Sequence, residues 1–124
     1  MISSEDKYEY IDMAYILDVA DGDDSFMEQM IDTYLVSIPE NMDKMIAAAR
    51  NNDMPQIAFS AHTLKGAFSF IGSTVLFHML DTVERYCADE QRTAEIPDLI
   101  TEIVPLAAKA TGEMRAVLQK LHQK

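Results

Sequence analysis

A histidine and a lysine one helical turn apart are the residues of this chain best suited to chemistry. They stand in the stretch 61–72, where four polar or small residues recur at i, i+3, i+4 and i+7, the spacing of one helix face: His62, Lys65, Gly66 and Ser69. A neutral imidazole has a lone pair that can attack a phosphoryl group and carry it as a phosphoramidate. The spacing therefore indicates a nucleophilic histidine on an exposed helix face.

Lys65 and Gly66 each suit a different need of such a histidine. Phosphoryl transfer depends mainly on positioning and charge neutralisation, and an ammonium group one turn away is placed to neutralise the phosphoryl oxygens. Gly66 has no side chain, so a partner's active site can approach His62 closely. A glycine inside a helix lowers helix stability by about 1 kcal/mol relative to alanine, so a functional reason for Gly66 is expected. Taken alone, His62 would be a histidine at the edge of a core, and Lys65 a solvated surface lysine.

The opposite face of the same stretch is apolar. At about 100° per residue, four side chains form a stripe that is expected to be buried: Ile57, Leu64, Ala67 and Ile71. The helix therefore has one side for a core and another side that presents the histidine.

The motif resembles that of the histidine-containing phosphotransfer (HPt) domain family. The family motif is a histidine, a large apolar residue, a lysine and a glycine in series, with another glycine further on, and here these are His62, Leu64, Lys65, Gly66 and Gly72. Four amphipathic segments flank the motif in the family's order and cover nearly the whole chain. The resemblance therefore extends beyond the motif itself.

The resemblance implies a phosphocarrier rather than an enzyme. Members of the family accept a phosphoryl group from an aspartyl-phosphate on one receiver domain and pass it to another. The implied partners are thus the receiver domains of a hybrid histidine kinase and a response regulator. The receiver brings its own carboxylates and Mg²⁺, so the resemblance implies no cofactor and no metal site in this chain.

Glu84 is a candidate for orienting the imidazole. In the family, a carboxylate or amide at this distance beyond the histidine often hydrogen-bonds the ring, which would set the tautomer and leave the other nitrogen as nucleophile. The alternative is a surface glutamate that pairs with Arg85 or Lys65. The sequence leaves both interpretations open.

Four residues beside the histidine are candidates for a surface that docks another protein: Ala58, Phe59, Ser69 and Phe70. Phe59 and Phe70 flank the His62 face, and exposed aromatic rings beside a reactive group suggest protein docking. The alternative is that both rings tuck into neighbouring helices. The family usually has small residues where Phe68 and Phe70 stand.

The composition argues against several other classes of function. Of the 124 residues, 10 are basic and 21 acidic, and the resulting net charge of −11 argues against binding nucleic acid or anionic membranes. No apolar run is long enough to span a bilayer, and the first residues lack the features of a signal peptide. Cys87 is the only cysteine, so a reducing cytoplasm is the expected setting. Its place on an apolar stripe predicts burial.

Apolar residues recur with helical spacing along most of the chain, and no alternating pattern typical of strands occurs. Residues 1–7 are polar and expected to be flexible, and a short helix follows from about Tyr8 to Val19. A long second helix comes after the Asp-Gly-Asp-Asp turn at 21–24, which offers caps for this helix, and Ser25 is also placed to head a capping box. Pro39 lies within this helix and predicts a kink or a short break, and the apolar stripe that stays in phase across it favours one bent helix.

The second half of the chain predicts three more helices. Asp53 is placed to cap the motif helix, expected from about Met54 to Ile71. A fourth helix carries a stripe from Leu76 to Cys87, and a last helix starts near Ile96. Short connections make neighbouring helices antiparallel. The predicted fold is all-α, an antiparallel up-down four-helix bundle with a short additional N-terminal helix, and residues 8–124 form a single HPt-like domain.

Other functions of helical bundles fit this sequence less well. The dimerising part of a histidine kinase usually has an acidic residue after its histidine, whereas Thr63 follows here, and the chain lacks a glycine-rich nucleotide-binding segment. A di-iron enzyme would need a Glu-x-x-His pair, which is missing. A non-catalytic helical interaction module with an HPt-like fold remains the alternative. The polar outer faces of the helices favour a monomer.

Overall fold

The computed structural model describes residues 2–123. Within this range the chain forms five α-helices and a 3₁₀ turn at Thr93–Glu95, and the helices are α1 (Met13–Ala20), α2 (Asp24–Arg50), α3 (Met54–Phe70), α4 (Thr74–Cys87) and α5 (Ile96–His122). This part of the chain has no strand, and none of its helices is both long and apolar enough to cross a membrane. The predicted all-α fold is confirmed.

The four longer helices form a closed antiparallel bundle. Helix α2 packs against α3, α3 against α4, α4 against α5 and α5 against α2, while the short α1 packs against α2. His62 of α3 bonds Glu84 of α4. Lys65, further along α3, bonds Asp81, which comes earlier in α4, so these two helices run in opposite directions. The up-down arrangement with a short N-terminal helix agrees with the prediction.

Aspartate side chains determine where three of the helices begin. Asp12 caps α1, Asp23 caps α2 and Asp53 caps α3, and each accepts a backbone N–H from the first turn, at 3.1, 3.0 and 3.2 Å. The cap predicted at Asp53 is confirmed. The capping box predicted at Ser25 is wrong, because Asp23 supplies the cap and Ser25 lies inside α2.

The segment before α1 is not helical, so the first helix begins at Met13 and its predicted start at about Tyr8 is wrong. A carboxylate of α5 bonds backbone groups of this segment instead. Glu113 accepts the N–H groups of Glu9 and Tyr10 at 2.7 and 2.8 Å. The flexibility of residues 1–7, of which Met1 lies outside the described range, and the division of the chain into domains stay predictions.

Helix α2 continues through Pro39, so no break occurs at the proline. Ile38 and Met42, on either side of it, are both buried and keep the apolar stripe in phase. Burial of these side chains offsets the loss of the one backbone hydrogen bond that a proline removes. Packing of the stripe therefore decides the local structure here.

The apolar face of α3 is buried, as predicted: Ile57, Leu64, Ala67 and Ile71. Phe68 is fully buried beside them, so this departure from the family pattern belongs to the core. Cys87 is only half-buried, because it is the last residue of α4 and packs at the margin of the core. Burial still raises the pKa of its thiol.

Candidate functional site

His62 presents its imidazole to solvent from the face of α3 that turns away from the core, and the side chain is 68% exposed. Its Nδ1 lies 3.0 Å from Oε2 of Glu84 on α4. An ionised carboxylate only accepts hydrogen bonds, so in the neutral form of the ring this contact favours the proton on Nδ1 and the lone pair on Nε2. No group within residues 2–123 hydrogen-bonds Nε2. The arrangement leaves this nitrogen available as a nucleophile.

Glu84 bonds two residues of the motif at once. Its Oε2 faces His62, and its Oε1 lies 2.7 Å from Nζ of Lys65. The hydrogen bond from Lys65, with a smaller contribution from His62, lowers the pKa of Glu84 against the opposing effect of partial burial. The carboxylate is therefore ionised at neutral pH. Glu84 thus contacts both the imidazole and Lys65, two of the partners considered for it. The third, Arg85, bonds Asp81 instead.

Lys65 is held by two carboxylates of α4. Besides Glu84, it contacts Oδ1 of Asp81 at 3.2 Å, and its side chain is only 20% exposed. The hydrogen bond to Glu84 is the largest cause of the raised pKa of Lys65. An ammonium group has three N–H donors, so one donor remains beyond these two bonds. Lys65 is less free than a solvated surface lysine.

Asp81 also belongs to this site, although it is not part of the sequence motif. Its Oδ1 contacts Lys65, and its Oδ2 lies 3.2 Å from Nε of Arg85 on the same helix. The hydrogen bond from Lys65 is the largest cause of the lowered pKa of Asp81. An antiparallel pairing of the two helices would have indicated Asp81, because a contact between His62 and Glu84 places Lys65 opposite position 81.

Within residues 2–123, no group of three or more metal-binding side chains is placed to hold an ion.

The two motif glycines have different surroundings. Gly66 is exposed, and among the described residues no atom outside its own helix turn lies within 4 Å of where a Cβ would be. Packing within the chain therefore does not require a glycine there. Gly72 has a φ of +75°, and a Cβ added to it would lie 2.6 Å from Cβ of Asp12. Gly72 is thus explained by the fold, whereas Gly66 is not.

The four predicted docking residues lie along α3 before and after His62. Phe59 is 65% exposed and Phe70 is 40% exposed. Ser69 is exposed and Ala58 is half-buried. Phe70 also packs, with its ring centroid 5.8 Å from that of Tyr34 on α2. An open groove of about 300 Å³ is formed beside it by Phe26, Gln29, Met30, Thr33, Tyr34 and Phe70. Phe59 thus matches the exposed alternative, and Phe70 is both packed and exposed.

Most of the chain matches a known protein family. Residues 29–124 match the sequence model of the Hpt domain. The chain belongs to the Hpt domain family. The matched range of this Hpt domain includes His62, Lys65, Gly66 and Glu84, so the resemblance stated from the motif is confirmed.

A relative of this Hpt domain occurs in Dictyostelium discoideum. It is the phosphorelay intermediate protein rdeA, which is 26% identical over 95 residues. The aligned part covers 74% of this chain and 37% of the relative. The chain therefore spans little more than a third of that protein's length. No solved structure matches the chain significantly.

Proposed function

We propose that this Hpt domain is a histidine phosphocarrier in a multistep phosphorelay. His62 accepts a phosphoryl group from an aspartyl-phosphate on the receiver domain of a hybrid histidine kinase and passes it to the receiver domain of a response regulator. The observation that carries the proposal is the exposed imidazole, whose Nδ1 bonds Glu84 while Nε2 keeps the lone pair. The relative named as a phosphorelay intermediate supports the same role.

The transfer is a displacement at phosphorus. Nε2 of His62 forms a bond to phosphorus while the bond between phosphorus and the donor aspartate's oxygen breaks, and the aspartate leaves as a carboxylate. The ring keeps its Nδ1 proton and becomes positively charged as it gains the phosphoryl group. Glu84, 3.0 Å from Nδ1, stabilises that charge as the aspartate of a catalytic triad stabilises its imidazolium. In the onward transfer a carboxylate oxygen of the second receiver's aspartate forms a bond to phosphorus while the Nε2–phosphorus bond breaks, and the ring returns to neutral.

The other site residues serve this reaction in different ways. The remaining N–H of Lys65 bonds the phosphoryl oxygens, and Gly66 lets the receiver's active site come close to His62. The receiver contacts the docking residues Ala58, Phe59, Ser69 and Phe70, and it supplies the Mg²⁺ and carboxylates that phosphoryl transfer needs. The proposed close approach is supported by Gly66, which is exposed and which no contact within residues 2–123 requires to be a glycine.

The proposal also covers the state in which the protein works. It acts as a monomeric carrier in the cytoplasm and has no kinase activity of its own. Incubation with ATP and Mg²⁺ should leave the mass of the protein unchanged, and light scattering should give the mass of one chain, 14.0 kDa. Phosphorylation by ATP alone would contradict this part of the proposal.

Phosphorylation of the purified protein tests the carrier function. We expect phosphoramidate, or a phosphorylated receiver domain, to add one phosphoryl group that is labile in acid and stable in alkali, as read by intact mass. His62→Gln should fold normally and gain no such adduct. His78→Gln, which alters another exposed histidine, should behave as the wild type. If a folded wild type gains no adduct from any donor, the proposal fails and a non-catalytic interaction module is favoured.

A further inference from the structure

Four charged side chains of α3 and α4 form a balanced network beside His62. Lys65 lies 2.7 Å from Glu84 and 3.2 Å from Asp81, and Arg85 lies 3.2 Å from the other oxygen of Asp81. Two positive charges thus face two negative charges. The contacts with Lys65 lower the pKa of both carboxyl groups, so both are ionised when the carrier is unphosphorylated.

A phosphoryl group on His62 disturbs this balance. It brings roughly two negative charges and three strong acceptor oxygens to a place one helical turn from Lys65. Lys65 has one donor left for these oxygens as long as it holds both carboxylates. A second bond to the phosphoryl group therefore requires Lys65 to release one carboxylate.

Two features of the network favour Asp81 as the carboxylate that Lys65 would release, although Asp81 accepts a hydrogen bond from Lys65. Its contact with Lys65 is longer than that of Glu84, 3.2 Å against 2.7 Å. Glu84 is also fixed through its other oxygen by the imidazole. Asp81 retains Arg85 as a partner when Lys65 leaves, so its charge stays compensated.

We propose that Asp81 is a positioning residue that competes with the phosphoryl group for Lys65 and thereby lowers the stability of the phosphorylated form of His62 relative to the free form. This inference rests on the proposed carrier function. A carrier has to give its phosphoryl group away, and full neutralisation by Lys65 would oppose the onward transfer. Asp81 limits that neutralisation, so the phosphoryl group passes more readily to the next receiver.

Asp81→Asn tests the competition, because it removes the charge and keeps the shape. The protein is incubated with phosphoramidate and excess ammonium, so that Nε2 gains the phosphoryl group as ammonia leaves and the transfer runs in both directions. Intact mass then gives the equilibrium ratio of phosphorylated to free protein. We expect Asp81→Asn to raise this ratio roughly two- to fivefold, as suits the loss of a partly exposed ion pair. A merely structural role would lower the ratio or leave it unchanged.

Two control variants separate this effect from a change in net charge. Glu102→Gln removes one charge from an exposed position on α5, a helix that does not adjoin α3 in the bundle, and should leave the ratio unchanged. Asp81→Glu restores the carboxylate and should bring the ratio back toward that of the wild type.

The dependence on Lys65 is tested in the Lys65→Ala background at a higher phosphoramidate concentration. There Asp81→Asn should no longer raise the ratio. An equal ratio in Asp81→Asn and wild type, or an equal rise with and without Lys65, would overturn the inference and leave the carrier function intact. No adduct on the wild type would instead refute the carrier function, and this inference with it.

Discussion

Alanine substitutions at the two motif glycines should change stability in opposite directions. Gly66 lies inside α3 in open space, so Gly66→Ala meets no neighbouring atom and gains helix propensity. We expect it to raise the free energy of unfolding by about 0.5–1 kcal/mol. Among the described residues no contact requires a glycine at this position, so such a gain would leave the approach of a partner as the reason for it.

Gly72→Ala faces two costs. Its φ of +75° is unfavourable for a residue with a Cβ, which costs about 1–2 kcal/mol. The new Cβ would also lie 2.6 Å from Cβ of Asp12, whose backbone N–H is tied to the carbonyl of Ile71 at 3.0 Å. Forcing this contact apart adds about 1–3 kcal/mol. We expect a total loss of about 2–5 kcal/mol, a large part of the 5–15 kcal/mol typical of a small domain.

Urea unfolding followed by far-ultraviolet circular dichroism measures both variants on one scale. The midpoint should rise for Gly66→Ala and fall for Gly72→Ala, with similar slopes. A destabilised Gly66→Ala would mean that an internal contact requires the glycine, which would remove the argument for partner approach. A neutral Gly72→Ala would refute the reasoning from its backbone angle and from Asp12.

Four further predictions concern the site. Gly66→Leu should fold and still accept a phosphoryl group from phosphoramidate, but it should no longer accept one from a receiver domain. Normal transfer from the receiver domain would refute the argument that the partner has to approach closely. Lys65→Ala should slow phosphoryl transfer roughly tenfold, about 1.4 kcal/mol in the barrier, as measured by rapid-quench kinetics. Glu84→Ala should change the imidazole tautomer in nitrogen-15 NMR spectra while Glu84→Gln, which keeps an acceptor, should not; an unchanged spectrum in Glu84→Ala would remove Glu84 from the site. Because Lys65 lowers the folded-state pKa of Asp81 and Glu84, the stability they contribute is present above their unfolded pKa values, near 4, and is lost as the pH falls through the lower folded values. The urea midpoints of wild type and Lys65→Ala should therefore converge in strong acid, and a constant gap would contradict this linkage.

Most of the fold could be predicted because helix patterns are local. The spacing of Ile57, Leu64 and Ile71 shows which face of α3 is buried, whatever it packs against. The cap at Asp53 depends only on the next few residues. The cap of α1 at Asp12 is an equally local signal, which the prediction of a start near Tyr8 missed. The course of the segment before α1 could not be predicted in this way, because the N–H groups of Glu9 and Tyr10 bond Glu113, which is distant in sequence.

The chemistry of His62, Lys65 and Gly66 could also be inferred from the sequence, since their spacing on one helix determines that they share a face. Which groups those side chains bond was decided only by the tertiary structure. The sharing of Glu84 between His62 and Lys65, and the place of Asp81, depend on the register of α4 against α3. That register results from packing of whole helix faces, and no short stretch of sequence contains it.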